Sequence, residues 1–172
     1  NGIASLNLHT NLDCCPGGVN DVLASRLGLA DIEILNPVGT DAKGRPYGLV
    51  RMGEVAEQPL AAFAAFVKRV LSCPGVRFSD AGKHVRKVAV GGGSCGSEIG
   101  DVIAAGCDTF VTADLKYNHF EEAKYRGLNL IDAGHFETEN PVCDVLEGIL
   151  REAFPEIPVF RARTHRDETQ FL

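Results

Sequence analysis

Lys87-Val-Ala-Val-Gly-Gly-Gly-Ser-Cys-Gly-Ser97 is the stretch on which the fold turns. Its apolar run, Val88 to Val90, stops at three consecutive glycines, and a helix-compatible segment from Ser97 to Ala105 follows at once. Strand, glycine turn and helix make a βα unit. The pattern continues downstream with a strand over Thr109–Thr112, a helix over Tyr117–Tyr125 and a strand over Leu128–Ile131. A helix over Val142–Phe154 and a last strand over Pro158–Ala162 complete it. Upstream, Pro59 opens an apolar helix, Leu60 to Leu71, which Pro74-Gly75 ends. Ile32–Val38 and Tyr47–Val55 read as a hairpin around a turn from Asp41 to Pro46. Asn20 to Leu29 reads as a helix, and residues 3–9 as a strand ending at His9. These elements predict an α/β fold with mixed, partly parallel sheets and flanking helices. The change from hairpin-like to βα-alternating pattern near Pro59 is the one candidate boundary.

Composition narrows the function classes. The chain has 172 residues, 45% of them hydrophobic and 23% charged, with a net charge of −6. No Lys/Arg run exceeds two residues, so the basic stripe of a nucleic-acid groove is missing. Nucleic acid is not an expected partner. No apolar stretch reaches the roughly 20 residues of a membrane-spanning helix, and no signal-peptide pattern opens the chain. The six cysteines are scattered and form no C-x-x-C pair, which points to reduced thiols and a cytoplasmic protein.

Three segments carry candidate chemistry. In the glycine loop, Gly91, Gly93 and Gly96 satisfy G-x-G-x-x-G, with Asp114 following Gly96 after the next strand. That spacing suits a dinucleotide, yet too little chain remains for the second half of such a fold. A tight strand-to-helix turn is the expectation, with Gly92, Gly93 and Ser94 as possible anion or substrate contacts. His9-Thr-Asn-Leu-Asp13 ends a predicted strand, a usual place for chemistry in α/β proteins. If it stays extended, His9 and Asp13 lie roughly 13 Å apart and cannot share one ion. Asp132-Ala-Gly-His135-Phe-Glu137-Thr-Glu139 crowds a histidine and two carboxylates after another strand, a common pairing for divalent metals. Glu139, just before Pro141, also suits the start of a helix. His119 reads as a solvated helix residue, and Ser94 and Cys95 lack an evident paired base.

In register, these segments resemble the hexameric dinuclear-metal-centre proteins often labelled GTP cyclohydrolase type 2 homologues. His9-Thr-Asn-Leu-Asp13, Pro16-Gly-Gly-Val-Asn-Asp21 with Leu27-Gly-Leu29, the glycine loop Val88–Ser97, Asp114-Leu-Lys-Tyr117 and Asp132–Glu139 follow that family's blocks in order. The resemblance covers essentially the whole chain. It implies two α/β units: residues 1–56 with about 130–172 as a metal-site unit lacking its N-terminal part, and about 57–129 as a second unit carrying the glycine loop. It implies a homo-hexamer and two divalent ions (Zn, Mn or Fe), with Asp13, His135 and Glu139 as ligands. His9 would support Asp13 from behind. The family's early His-His pair has no counterpart here, and the abrupt apolar start without Met leads to the expectation of further residues before Asn1 that hold it. Tyr117-Asn118-His119 also departs from the family's usual Tyr-His.

The implied activity is metal-dependent hydrolysis of a nucleotide-like substrate, two ions clamping the attacking and leaving oxygens. A non-catalytic metal-binding or regulatory hexamer is the alternative, since no residue is committed as general acid or base. A dinucleotide-binding enzyme built on the glycine loop is the third.

Overall fold

The computed structural model describes residues 2–172. In chain order these form α1 (Thr10–Cys14), α2 (Val19–Arg26), β1 (Ala30–Leu35), β2 (Gly39–Thr40), β3 (Pro46–Tyr47), β4 (Val50–Gln58) and α3 (Leu60–Leu71). There follow β5 (Arg77–Ser79), β6 (Val85–Val90), α4 (Ile99–Ala104), β7 (Thr109–Thr112) and α5 (Tyr117–Tyr125). β8 (Asn129–Asp132), α6 (His135–Glu139) and α7 (Val142–Ala153) complete the chain.

Six strands share one sheet in the order β1-β4-β6-β7-β8-β5, and β2 pairs with β3 separately. The middle of that sheet is parallel: Val88, Ala89 and Val90 lie opposite Thr109, Phe110 and Val111, which lie opposite Asn129, Leu130 and Ile131. The flanking pairs, β1 with β4, β4 with β6, and β5 with β8, are antiparallel. The sheet is therefore mixed, as expected. The centres of its three parallel strands, Val88–Val90, Phe110–Val111 and Leu130–Ile131, are apolar because helices cover both faces. Val88, Val90, Val111 and Ile131 pack with Leu23 of α2 and Phe63 and Val67 of α3. Ala89, Phe110 and Leu130 point the other way, onto Ile99 and Val102 of α4 and Ala123 of α5. One residue of register shift would exchange these faces, so the two cores lock the pairing.

Helix α3 follows its sequence pattern closely. Leu60, Phe63, Ala64, Val67 and Leu71 recur at helical spacing and are all buried, and Ser72 ends the helix in a left-handed conformation at φ 60°.

Two expected strands do not form. Residues 2–8 adopt neither helix nor strand, and Ile3 and Leu6 are more than four-fifths exposed. An apolar run becomes a strand only where a neighbour supplies the hydrogen-bond ladder, and none of the described residues does so there. Pro158 to Ala162 is likewise irregular; Arg161 is drawn to Asp144 and Asn140 side chains instead of into a ladder. The short helices α1 and α6, the short strand β2 and the edge strand β5 went unforeseen. The expected segment around His9 is also corrected: His9 precedes a helix, and the Asp13 N–H donates to the His9 carbonyl at 3.2 Å.

Candidate metal centre

Parallel strands β6, β7 and β8 end side by side, and the chain leaves them through Gly91–Gly93, Ala113–Asp114 and Ala133–His135. Such carboxyl-end crevices are where open α/β sheets hold ligands. The glycine loop makes the expected tight turn. Its backbone donors point inward: Gly92 N–H to the Asn20 side chain at 2.6 Å, Gly93 N–H to the Thr138 hydroxyl at 3.0 Å, and Cys95 N–H to the Thr112 hydroxyl at 3.1 Å. Of the trio Gly92, Gly93 and Ser94, only Ser94 is exposed.

Gly93 is required twice over. Its φ of +65° disfavours any side chain, and a Cβ there would collide with Glu139 Oε1 and stand 3.0 Å from His135 Nε2. The loop lets these two side chains close directly over the backbone.

Helix α6 presents them. Gly134, at φ +85°, turns the chain after β8, and its N–H donates to Asp132. His135 and Glu139 then sit four residues apart on one face, with Nε2 to Oε1 at 3.0 Å. The other ring nitrogen, Nδ1, meets Asp114 Oδ2 at 2.6 Å. Asp114 thereby fixes the ring and leaves Nε2 as the nitrogen facing the cleft, the arrangement that orients ligating histidines generally. Burial pulls the His135 pKa down, but the Asp114 hydrogen bond and the Glu139 charge outweigh it and hold the ring above its ordinary value.

Asp13 arrives from the opposite wall. Helix α1 brings it, with His9, to a cleft of about 380 Å³ that His135 and Glu139 also line. Burial and then the nearby Glu139 charge push its carboxyl above the ordinary range, while His9 and His135 pull it down. No hydrogen bond from another described residue reaches that carboxylate, although its own backbone is well held. Asn20, fully buried, donates to Asp13 O at 3.1 Å and Leu49 O at 2.6 Å while accepting from Gly92. Arg51, 1% exposed, pairs with Asp21 and donates to Gly48 O at 2.6 Å and Cys14 O at 3.2 Å. Together they clamp α1 to the sheet.

The three expected ligands therefore meet at one cleft, and His9 stands beside them. His119 does not: its ring packs on Gly96 and accepts the Lys116 N–H at 3.2 Å. Sequence analysis overlooked Asn20, Arg51 and the role of Asp114. Asn20 and Asp21 stand in the Pro16–Asp21 block; polar residues at the head of a helix that also carries core leucine were the available signal. An imidazole nitrogen and two carboxylates are a donor set suited to a divalent ion. Among the described residues, no three His, Cys, Asp or Glu side chains converge tightly enough to form a finished cage. The cleft offers His135 and Glu139 as a close pair with Asp13 facing them.

A mixed α/β sheet with a histidine and carboxylates at the carboxyl ends of its parallel strands defines the class. Within it, the chain belongs to the Duf34/NIF3 (NGG1p interacting factor 3) family, whose model matches residues 1–168. It is 37% identical over 152 residues to the GTP cyclohydrolase 1 type 2 homolog of a Nostoc species, covering 87% of this chain and 56% of that protein. The homolog of the same name from Streptomyces coelicolor is 40% identical over 151 residues, 84% of this chain and 52% of that one. The crystal structure of the Staphylococcus aureus hypothetical protein SA1388 superposes with a TM-score of 0.86 at 30% identity, over 96% of this chain and 67% of its own. The chain thus spans a little over half the length of these two named homologs. Among the described residues no helix is long and apolar enough to cross a membrane.

Proposed function

We propose that this chain supplies part of a dinuclear divalent-metal centre in a hydrolase acting on a nucleotide-like substrate. The observation that carries this is the His135–Glu139 pair closed over Gly93, with His135 anchored at Nδ1 by Asp114 and Asp13 facing it. Such a constellation costs free energy without a cation, because Asp13 and Glu139 repel each other. Asp13, His135 and Glu139 would hold the ions, with Glu139 suited to bridge. Two divalent ions there would supply electrophilic activation and charge neutralisation at the scissile group. The protein's own residues orient and insulate: Asp114 fixes the imidazole, Asn20 sets the backbone of Asp13, and Phe136 and Val142 furnish apolar wall. The names of the relatives support a GTP-like substrate. Six free cysteines accord with a cytoplasmic setting.

Assembly belongs to the same proposal. Of the 12 residues of α7 only Val142 is buried, while Ile149 and Leu150 on this amphipathic helix and Phe154 just after it are exposed, as a subunit contact of the expected homo-hexamer would require.

Calorimetric titration with Zn, Mn and Fe(II), followed by a hydrolysis screen on GTP and related nucleotides, tests the function. Binding that Asp13→Asn, His135→Ala or Glu139→Gln weakens at least tenfold is expected. Unchanged binding in all three overturns the ligand assignment, and tight binding with no turnover favours the non-catalytic reading.

A further inference from the structure

His135 divides two clefts. Opposite the proposed metal centre lies a second, of about 310 Å³, bounded by Gly75, Arg77, Asp132, Glu137, Asp167 and Phe171. Most of its polar groups are satisfied within the fold. Arg77 pairs with Asp132, donates to Leu115 O at 2.9 Å and lies over the Phe120 ring at 5.3 Å. Asp132 also accepts the N–H groups of Leu115 at 3.0 Å and Gly134 at 3.2 Å.

Glu137 stands apart. It is only 8% exposed, and the one donor to its carboxylate among the described residues is its own backbone N–H. The acid lies so close over Gly134 that a Cβ there would collide with it. Asp167 and Asp132 act on it with charges of its own sign, Asp132 being itself paired with Arg77 on the same cleft. A carboxylate so enclosed, with a single local donor, keeps acceptor capacity that a group entering the cleft can take up. Phe171 supplies a flat apolar boundary, its ring packed on Gly75 so closely that a Cβ there would stand 2.9 Å away. The volume is that of a small-ligand pocket.

We infer that the Glu137 cleft binds a planar ligand through an amidine-type edge, two parallel N–H donors directed at the carboxylate, with Phe171 as the stacking wall. Two donors in one plane match the two oxygens of a carboxylate, the geometry that makes such pairs strong and selective. A guanine base carries this edge at N1 and its 2-amino group, and an alkylguanidinium carries it with a charge. His135, Phe136 and Asp167 line both clefts, so a base held at Glu137 leaves the rest of a nucleotide adjoining Asp13 and Glu139. In the guanine case the cleft is the base subsite of the proposed hydrolase and rests on that reading.

Binding to chelator-treated, metal-free protein separates this inference from the ion site. Guanosine, inosine, adenosine and methylguanidine are titrated by calorimetry against the wild type, Glu137→Gln and Phe171→Ala. Guanosine or methylguanidine is expected to bind, inosine at least tenfold more weakly than guanosine, and adenosine more weakly still. Glu137→Gln should lose at least tenfold in affinity for the bound ligand with no fall in Tm, since it breaks no side-chain bond to another described residue. Phe171→Ala should lose severalfold. The ratio of guanosine to methylguanidine affinity tells a base subsite from a cation site. Equal binding of adenosine, no binding of either donor-edge ligand, or undiminished binding by Glu137→Gln overturns the inference and leaves the ion site untouched. Loss of ion binding in the metal-ligand variants leaves this cleft untouched in turn.

Discussion

Asp132 and Asp13 stand on opposite sides of His135 and live in opposite circumstances. Asp132 is 7% exposed and fully engaged, accepting from Arg77 and from two backbone N–H groups. Asp13 is half-buried, its carboxylate accepts nothing from the other described residues, and it faces the like charge of Glu139. A carboxylate supplied with donors organises the fold. One held beside another acid, with its backbone clamped and no donor from the described residues on its carboxylate, keeps its acceptor capacity for the cleft, as the proposed ion site requires. The same chemical group is thus engaged by the fold on one side and left open to a cleft on the other, and the difference is in the donors around it, which burial alone does not reveal.

The largest effect is expected where the Asp13 side is anchored. Arg51→Met removes a fully buried cation from Asp21, Gly48 O and Cys14 O, and should lower stability by about 3–5 kcal/mol, read from urea denaturation. A loss below about 1 kcal/mol would mean that α1 is held by other contacts. Next comes the architectural acid itself. Asp132→Ala strands the Leu115 and Gly134 N–H groups, for a loss of about 2–3 kcal/mol; the Arg77 end is 60% exposed, so solvent screening limits its share.

Gly93→Ala should cost about 1–2 kcal/mol from the positive φ and, by driving Glu139 away from His135, weaken ion affinity at least about tenfold. Stability loss without any change in ion affinity would separate the glycine loop from the site. Asp13→Asn sharpens the comparison most, because its expected effect on stability is the smallest. Metal-free protein should stay within about 0.5 kcal/mol of wild type, while ion affinity falls by more than about a hundredfold. A destabilisation matching that of Asp132→Ala would make the two acids alike and remove the distinction.

Local chemistry in the chain determined much of this protein. The apolar runs of β6, β7 and β8, the helical spacing of α3 with Pro59 before it, and the triple glycine were enough to establish mixed α/β architecture, since each is a short-range pattern that burial on two faces demands. Residue type and position after a strand marked the His135–Glu139 cluster as a metal candidate, while the resemblance of five blocks in register is what named Asp13, His135 and Glu139 together. What only the tertiary structure decided were the relations between distant residues. The 3–9 run has strand chemistry but no neighbour to pair with, and pairing belongs to the sheet rather than to the segment. His9 and Asp13, far apart on an extended chain, come together because α1 is helical and tied down by Asn20 and Arg51. Asp114 reaches His135 across 21 residues, and Glu137 is left with no donor among the described residues but its own backbone N–H. Hydrogen-bond satisfaction is a property of three-dimensional surroundings, so which acids are settled and which are waiting could be read only once the strands had been laid side by side.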